Sequence, residues 1–302
     1  MLFGGTPAND PMHLSKWTDD DDIIFGRFGN DTIAGHGGVD FMDGEGGVDT
    51  ISYAYSSGGG QIDLLDATAE SLSGPTVETI RGFENVWGSQ GNDRIYGTNG
   101  ANDLEGEAGN DTIVGRGGND TLEGENGNDS LLGGDGNDSV LGSSGHDTLN
   151  GGSGNDELVG GPGIDRFVGG AGSDDFVFTS TSESPGSSTD ILLYDTIVGF
   201  DGVGAWIGGP VPQDVIDLSA IDANTGASGN QKFAFLGDLP AGASVTTAAR
   251  LWVTEVGSDT YLSGNTDGDS ARELVIRIVD GDTRAWQYIA QNLPTIDSDF
   301  VL

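Results

Sequence analysis

The chain contains no cysteine. That excludes disulfide stabilisation and a thiol nucleophile, and it removes the usual mark of an oxidising compartment. Basic side chains are almost as scarce. Eleven Lys and Arg stand against 49 Asp and Glu, for a formal net charge of −38. Such a surface repels phosphate backbones and anionic headgroups, so neither nucleic acid nor an anionic membrane is an expected partner. Divalent cations are. Apolar runs are short. None approaches the ~20 residues of a membrane-spanning helix, so no transmembrane segment is expected. Met1–Trp17 also lacks the basic start and apolar core of a Sec signal peptide.

Catalytic signatures are missing as well. The three histidines, His13, His36 and His146, form no HExxH pair for zinc. No GxSxG elbow presents a serine. No glycine-rich stretch continues into GK[ST], so no phosphate loop is expected. Acidic pairs abound, and a glycosidase needs only two carboxylates. Their pattern points to another use, and the chain reads as non-enzymatic.

That pattern is a nine-residue repeat running ten times from Gly88 to Val177. Position 1 is always Gly, including Gly106, Gly115, Gly124, Gly133, Gly142, Gly151 and Gly160. Position 4 is always Gly. Position 6 is Asp in nine of the ten: Asp93, Asp111, Asp120, Asp129, Asp138, Asp147, Asp156, Asp165 and Asp174, with Asn102 as the exception. Position 8 is always apolar, from Ile95 and Leu104 to Phe167 and Phe176. An earlier block carries the same pattern, out of phase with the main one by one residue modulo nine, at Asp22, Asp31, Asp40 and Asp49, with Ile24, Ile33, Met42 and Ile51 two residues later.

Each unit divides into a turn and a short strand. Gly, Asn and Asp in the first six residues supply tight turns and positive φ at low steric cost. In the strand, neighbouring side chains point to opposite faces, so position 8 points inward and positions 7 and 9 outward. Two units make one flattened coil, and stacked coils give two parallel sheets. One apolar side chain per nine residues cannot offset a backbone ordering cost of about 1–2 kcal/mol per residue, and the stacked aspartates repel one another. Calcium answers both needs, because it takes six to eight oxygen ligands from carboxylates and carbonyls. The expected ligands are the position-6 aspartates together with turn carbonyls near Gly106 to Gly160. Asn102 removes one charge, so Asn102→Asp is expected to raise calcium affinity.

The organisation follows. Residues 1–16 read as an irregular leader, 17–52 as a first repeat block, 53–87 as a strand-and-loop insertion continuing the helix. Residues 88–178 form the main roll. Residues 179–302 lose the glycine pattern and read as a β-rich cap, which a repeat array needs at its end.

The nonapeptide, GGxGxDxUx, resembles the calcium-binding repeat of RTX proteins. The resemblance implies an all-β fold, a right-handed parallel β-roll with several bound Ca²⁺ ions and a C-terminal β-rich capping domain. Beyond the repeats, Asp174–Phe178, Asp214–Asn224 and Gly264–Asp269 resemble the C-terminal domain of serralysin-type secreted metalloproteases, without their protease domain. The terminal Asp299, Phe300, Val301 and Leu302 resemble that family's uncleaved signal for the type I secretion apparatus. The resemblance implies an extracellular protein that folds on meeting calcium, with extracellular polysaccharide or a host surface as possible partners. It leaves open the alternative of a carrier region for a serralysin-like or alginate-epimerase-like enzyme.

Overall fold

The structure, a computed structural model, describes residues 2–4, 8, 11–12, 21–34, 39–71, 77–179, 195–199, 214–217, 234–238, 250–256, 259–265, 274–279 and 300–301. These residues form strands and turns without a helix. The fold is an all-β parallel roll, as the repeat predicts. The chain divides into two compact units, residues 1–143 and 144–302.

In the first unit, one sheet runs in the order Leu2–Gly4, Ile23–Phe25, Phe41–Asp43, Val77–Arg81, Thr68–Ser71, Gly60–Asp63, Arg94–Tyr96, Thr112–Gly117, Ser130–Asp135. The other runs Pro11–Met12, Thr32–Ala34, Thr50–Ser52, Asn85–Trp87, Asp103–Glu105, Thr121–Glu123, Ser139–Leu141. Register follows the double repeat: Ile113 lies beside Leu131, and Leu122 beside Val140. Each strand therefore pairs with the one two nonapeptides on, as one coil per two units requires.

The core is a single file on each sheet. Ile95, Leu104, Ile113, Leu122 and Val140 are fully buried, while their neighbours alternate outward. Residues 53–87 continue the coil by a different geometry. Gly60–Asp63, Thr68–Ser71 and Val77–Arg81 form an antiparallel meander inside an otherwise parallel sheet. Its outer strands then pair in parallel with Arg94–Tyr96 and Phe41–Asp43. The extra hairpin explains the phase break between the two repeat blocks.

The second unit opens the same way. Thr148–Ser153 pairs with Arg166–Ala171, and Glu157–Val159 with Asp175–Val177. Phe167 packs edge-on against Phe176 and Phe178, with centroids 6.0 and 5.7 Å away. Beyond the glycine repeats the parallel pairing continues into Asp195–Val198 and Val215–Asp217. Leu274–Val279 adds one more parallel strand, and Asp259–Asn265 and Arg250–Val256 then turn antiparallel. Ala234–Asp238 pairs in parallel with Arg250–Val256. Of the terminal tetrapeptide, Phe300–Val301 pairs with Ile216–Asp217; Asp299 and Leu302 lie outside the described residues.

Candidate metal centre

Every position-6 aspartate named from the sequence is buried, from Asp22 and Asp31 to Asp165 and Asp174, none more than 4% exposed. A ladder of main-chain bonds holds them. The N–H of one position-6 residue donates to Oδ1 of the position-6 residue two repeats on. Asp22 donates to Asp40, Asp31 to Asp49, Asp93 to Asp111, and Asp111 to Asp129, at 2.7–2.9 Å. Asn102 donates to Asp120 and Asp120 to Asp138, both at 2.8 Å. In the second unit Asp147 donates to Asp165 and Asp156 to Asp174.

One oxygen of each carboxylate is thereby fixed. In several of them the other is left over. The Oδ2 atoms of Asp40, Asp49, Asp111, Asp120 and Asp174 are buried and accept no hydrogen bond. A buried acceptor without a partner costs ~1–3 kcal/mol, and more when charged. Burial raises these carboxyls: Asp111 and Asp174 to about 7, Asp49 and Asp120 to about 6. The ladder N–H opposes the rise, and neighbouring aspartates, such as Asp129 and Asp93 beside Asp111, add to it.

The leftover oxygens face main chain. A Cβ placed on Gly106 would stand 2.5 Å from Asp111 Oδ2 and 2.9 Å from the Gly124 carbonyl oxygen. Gly26 is flanked likewise by Asp31 Oδ2 and the Gly44 carbonyl oxygen, at 2.6 and 2.7 Å. The carbonyls of Gly115, Gly133 and Gly142 turn in the same way toward Gly97, Gly115 and Gly124. Only a residue without a side chain leaves this oxygen-lined cradle open. Position 2 completes it by turning left-handed, with φ of 73° at Glu107, 79° at Arg116 and 68° at Glu125.

This donor set fits calcium. It is all oxygen, it mixes carboxylate with carbonyl, and it leaves buried negative charge unanswered. Among the described residues, no three His, Asp or Glu side chains gather as a metal cluster. An ion here would be shared between one carboxylate per turn and carbonyls from stacked turns.

The sequence reading missed several members of this array. Asp195 and Asp214 are buried and accept from the Asp165 and Asp174 N–H groups, at 2.7 and 3.1 Å. Both open a D-x-U-x half-repeat without its glycines, which was the available signal. In the insertion, glutamates occupy the position-6 register. Glu84 accepts from the Asp49 N–H at 2.9 Å. Glu78 accepts from the Tyr53 hydroxyl at 2.5 Å, and burial pushes it to about 7. Position 5 forms a second ladder in the opposite sense: Asn110 and Asn128 N–H groups donate back to Asn92 and Asn110, each at 2.8 Å. His146 plays the asparagine part, accepting from the Ile164 N–H at 2.9 Å. His13 and His36 lie outside the described residues.

A family model of the RTX calcium-binding nonapeptide repeat matches the chain in four copies, over residues 18–51, 81–113, 114–149 and 150–178. Among solved structures, the chain is similar to the solution structure of the AlgE6R3 subunit from the Azotobacter vinelandii mannuronan C5-epimerase. Identity there is 20%, over 70% of this chain and 87% of that one, with a TM-score of 0.29. No curated protein matches.

Proposed function

The chain carries RTX calcium-binding nonapeptide repeats that bind several Ca²⁺ ions, and from that premise we propose a secreted, non-enzymatic calcium-binding protein whose fold is completed by the ion. The observation that carries this reading is the row of buried Oδ2 atoms without hydrogen bonds at Asp49, Asp111, Asp120 and Asp174, each beside a position-1 glycine. The proposed ligands are the position-6 aspartates and the position-1 carbonyls of the turns stacked on them. Bound calcium would supply the positive charge that 11 basic residues cannot.

Ligands at several turns must be assembled at once, so binding energy becomes folding energy. Extracellular modules of this affinity class work at roughly 10⁻⁴–10⁻³ M calcium. The chain would therefore leave the cell unfolded and fold outside it. The resemblance of Asp299–Leu302 to a type I secretion signal supports that route, with polysaccharide or a host surface as the target.

Two experiments test the parts separately. Deletion of Asp299–Leu302 is expected to retain the chain inside its host cell, and normal export of the truncation would sink the secretion claim. A screen on casein, alginate and ester substrates is expected to be silent. Calcium-dependent turnover of any of them would overturn the non-enzymatic reading.

A further inference from the structure

Not every turn in the main roll is built alike. In the turn Gly88–Asp93, the Ser89 N–H and hydroxyl both donate to Asp93 Oδ2, at 2.6 and 2.8 Å. The other oxygen accepts from the Gly60 N–H. Both oxygens of this carboxylate are therefore answered by the protein. In the next turn, the Thr98 N–H and hydroxyl donate to Asn102 Oδ1, at 2.7 and 3.1 Å. Asn102 Nδ2 in turn donates to the Glu84 carbonyl at 2.6 Å.

The contrast with the following turns is conformational. Glu107 and Arg116, at position 2 of their repeats, sit at positive φ, whereas Ser89 and Thr98 do not. There the carboxylates of Asp111 and Asp120 each keep a buried Oδ2 with no hydrogen bond. At Ser89 and Thr98 the position-2 N–H is instead spent on the position-6 side chain.

A built-in cation completes the difference. The Arg116 guanidinium donates to the Gly97 carbonyl at 2.7 Å and to both oxygens of Asp63, at 2.8 and 2.7 Å. The Gly97 carbonyl is the position-1 oxygen that, in later turns, faces a glycine cradle. Here a guanidinium occupies it, at the junction with the inserted meander.

We propose that the turns Gly88–Asp93 and Gly97–Asn102 take no calcium, being closed by their own hydrogen bonds with Arg116 as the resident cation. The ion ladder of residues 1–143 is then interrupted at the coil that stacks on the insertion. Asp93, a predicted ligand, becomes a turn cap. The inference rests on the calcium reading of the other turns, and its test separates the two.

Equilibrium dialysis with calcium would count ions bound per chain for the wild type, Asp93→Asn and Asp111→Asn. Asn102 shows that asparagine is accommodated in this kind of turn. The count is expected to be unchanged in Asp93→Asn and to fall by about one in Asp111→Asn. A fall in Asp93→Asn equal to that in Asp111→Asn overturns this inference alone. No fall in either overturns the calcium assignment and this inference with it. A calcium anomalous-scattering map of the unmutated protein gives the same answer without a variant. Ions beside Asp111 and Asp120 with none beside Asp93 and Asn102 are expected, and an ion touching Asp93 contradicts the proposal.

Discussion

The Asp93 N–H donates to Oδ1 of Asp111, eighteen residues on, at 2.7 Å. That bond joins two stacked coils and aims the second oxygen of Asp111 at the Gly106 cradle. A structural role and the proposed metal-binding role thus meet in one carboxylate, and substitutions can separate them. Asp111→Asn keeps an acceptor but loses the charge. It is expected to raise the calcium midpoint about tenfold, or ~1.4 kcal/mol. Asp111→Ala also orphans the Asp93 N–H, and should lose a further ~1–3 kcal/mol. Calcium titrations followed by circular dichroism check both; equal effects would show that the ladder bond contributes nothing.

Gly127 marks how closely the turns stack. A Cβ there would stand inside the Gly109 carbonyl, on a backbone at φ 153°. Gly127→Ala is expected to destabilise the calcium-bound protein by ~2–3 kcal/mol or more. Gly117→Ala is the control, since its nearest neighbours would be 3.7 Å away. Urea unfolding in saturating calcium should separate the two. Similar midpoints would mean that the stack tolerates a side chain.

The single-file core makes a third prediction. Leu122 is fully buried, and it is the one inward-facing side chain of its strand. Leu122→Ala is expected to cost about 2–5 kcal/mol. A loss below ~1 kcal/mol in the same unfolding assay would show that the ions, and not this ladder, hold the coils.

Asn102 reverses an expectation drawn from sequence. Read as a missing ligand, it predicts that Asn102→Asp strengthens calcium binding. In the structure its amide donates to the Glu84 carbonyl at 2.6 Å, and an aspartate would set a carboxylate against that oxygen. Asn102→Asp is now expected to lower stability by ~1–3 kcal/mol without adding an ion. Tighter calcium binding in the variant would restore the first reading.

The raised carboxyls set the pH dependence of the metal-free chain. Asp111 and Asp174 titrate near 7 in the fold, against an ordinary value of 3.8. The fold therefore binds more protons than the unfolded chain between these values. Their contribution is full below pH ~4 and is lost as pH rises through about 7. In chelator, acidification from pH 8 to 4 is expected to increase β structure. In calcium the ion replaces the protons, so binding should weaken as pH falls and should release protons at neutral pH. Proton uptake on calcium binding would contradict this.

Much of this was legible from residue phase. The fixed positions of Gly and of the apolar residue gave the turn, the strand, the inward face and the eighteen-residue register, because each coil repeats one environment. The parts that escaped are those where one environment is met by different residues. Asp195 and Asp214 sit in the ladder without glycines beside them. Glu84 holds the aspartate position from a longer side chain. Ser89 and Thr98 look like ordinary turn residues, yet their N–H groups answer the position-6 side chains of Asp93 and Asn102 internally. The antiparallel meander left only a phase break, since alternation marks a strand but not its direction.

The most direct test of the calcium claim is far-UV circular dichroism of the purified chain at neutral pH, first in EGTA and then through a calcium titration to ~10 mM, a range that covers weak extracellular sites. The account predicts a cooperative gain of β signal as the buried carboxylates acquire their cation. A full β spectrum that thorough chelation leaves unchanged would contradict it.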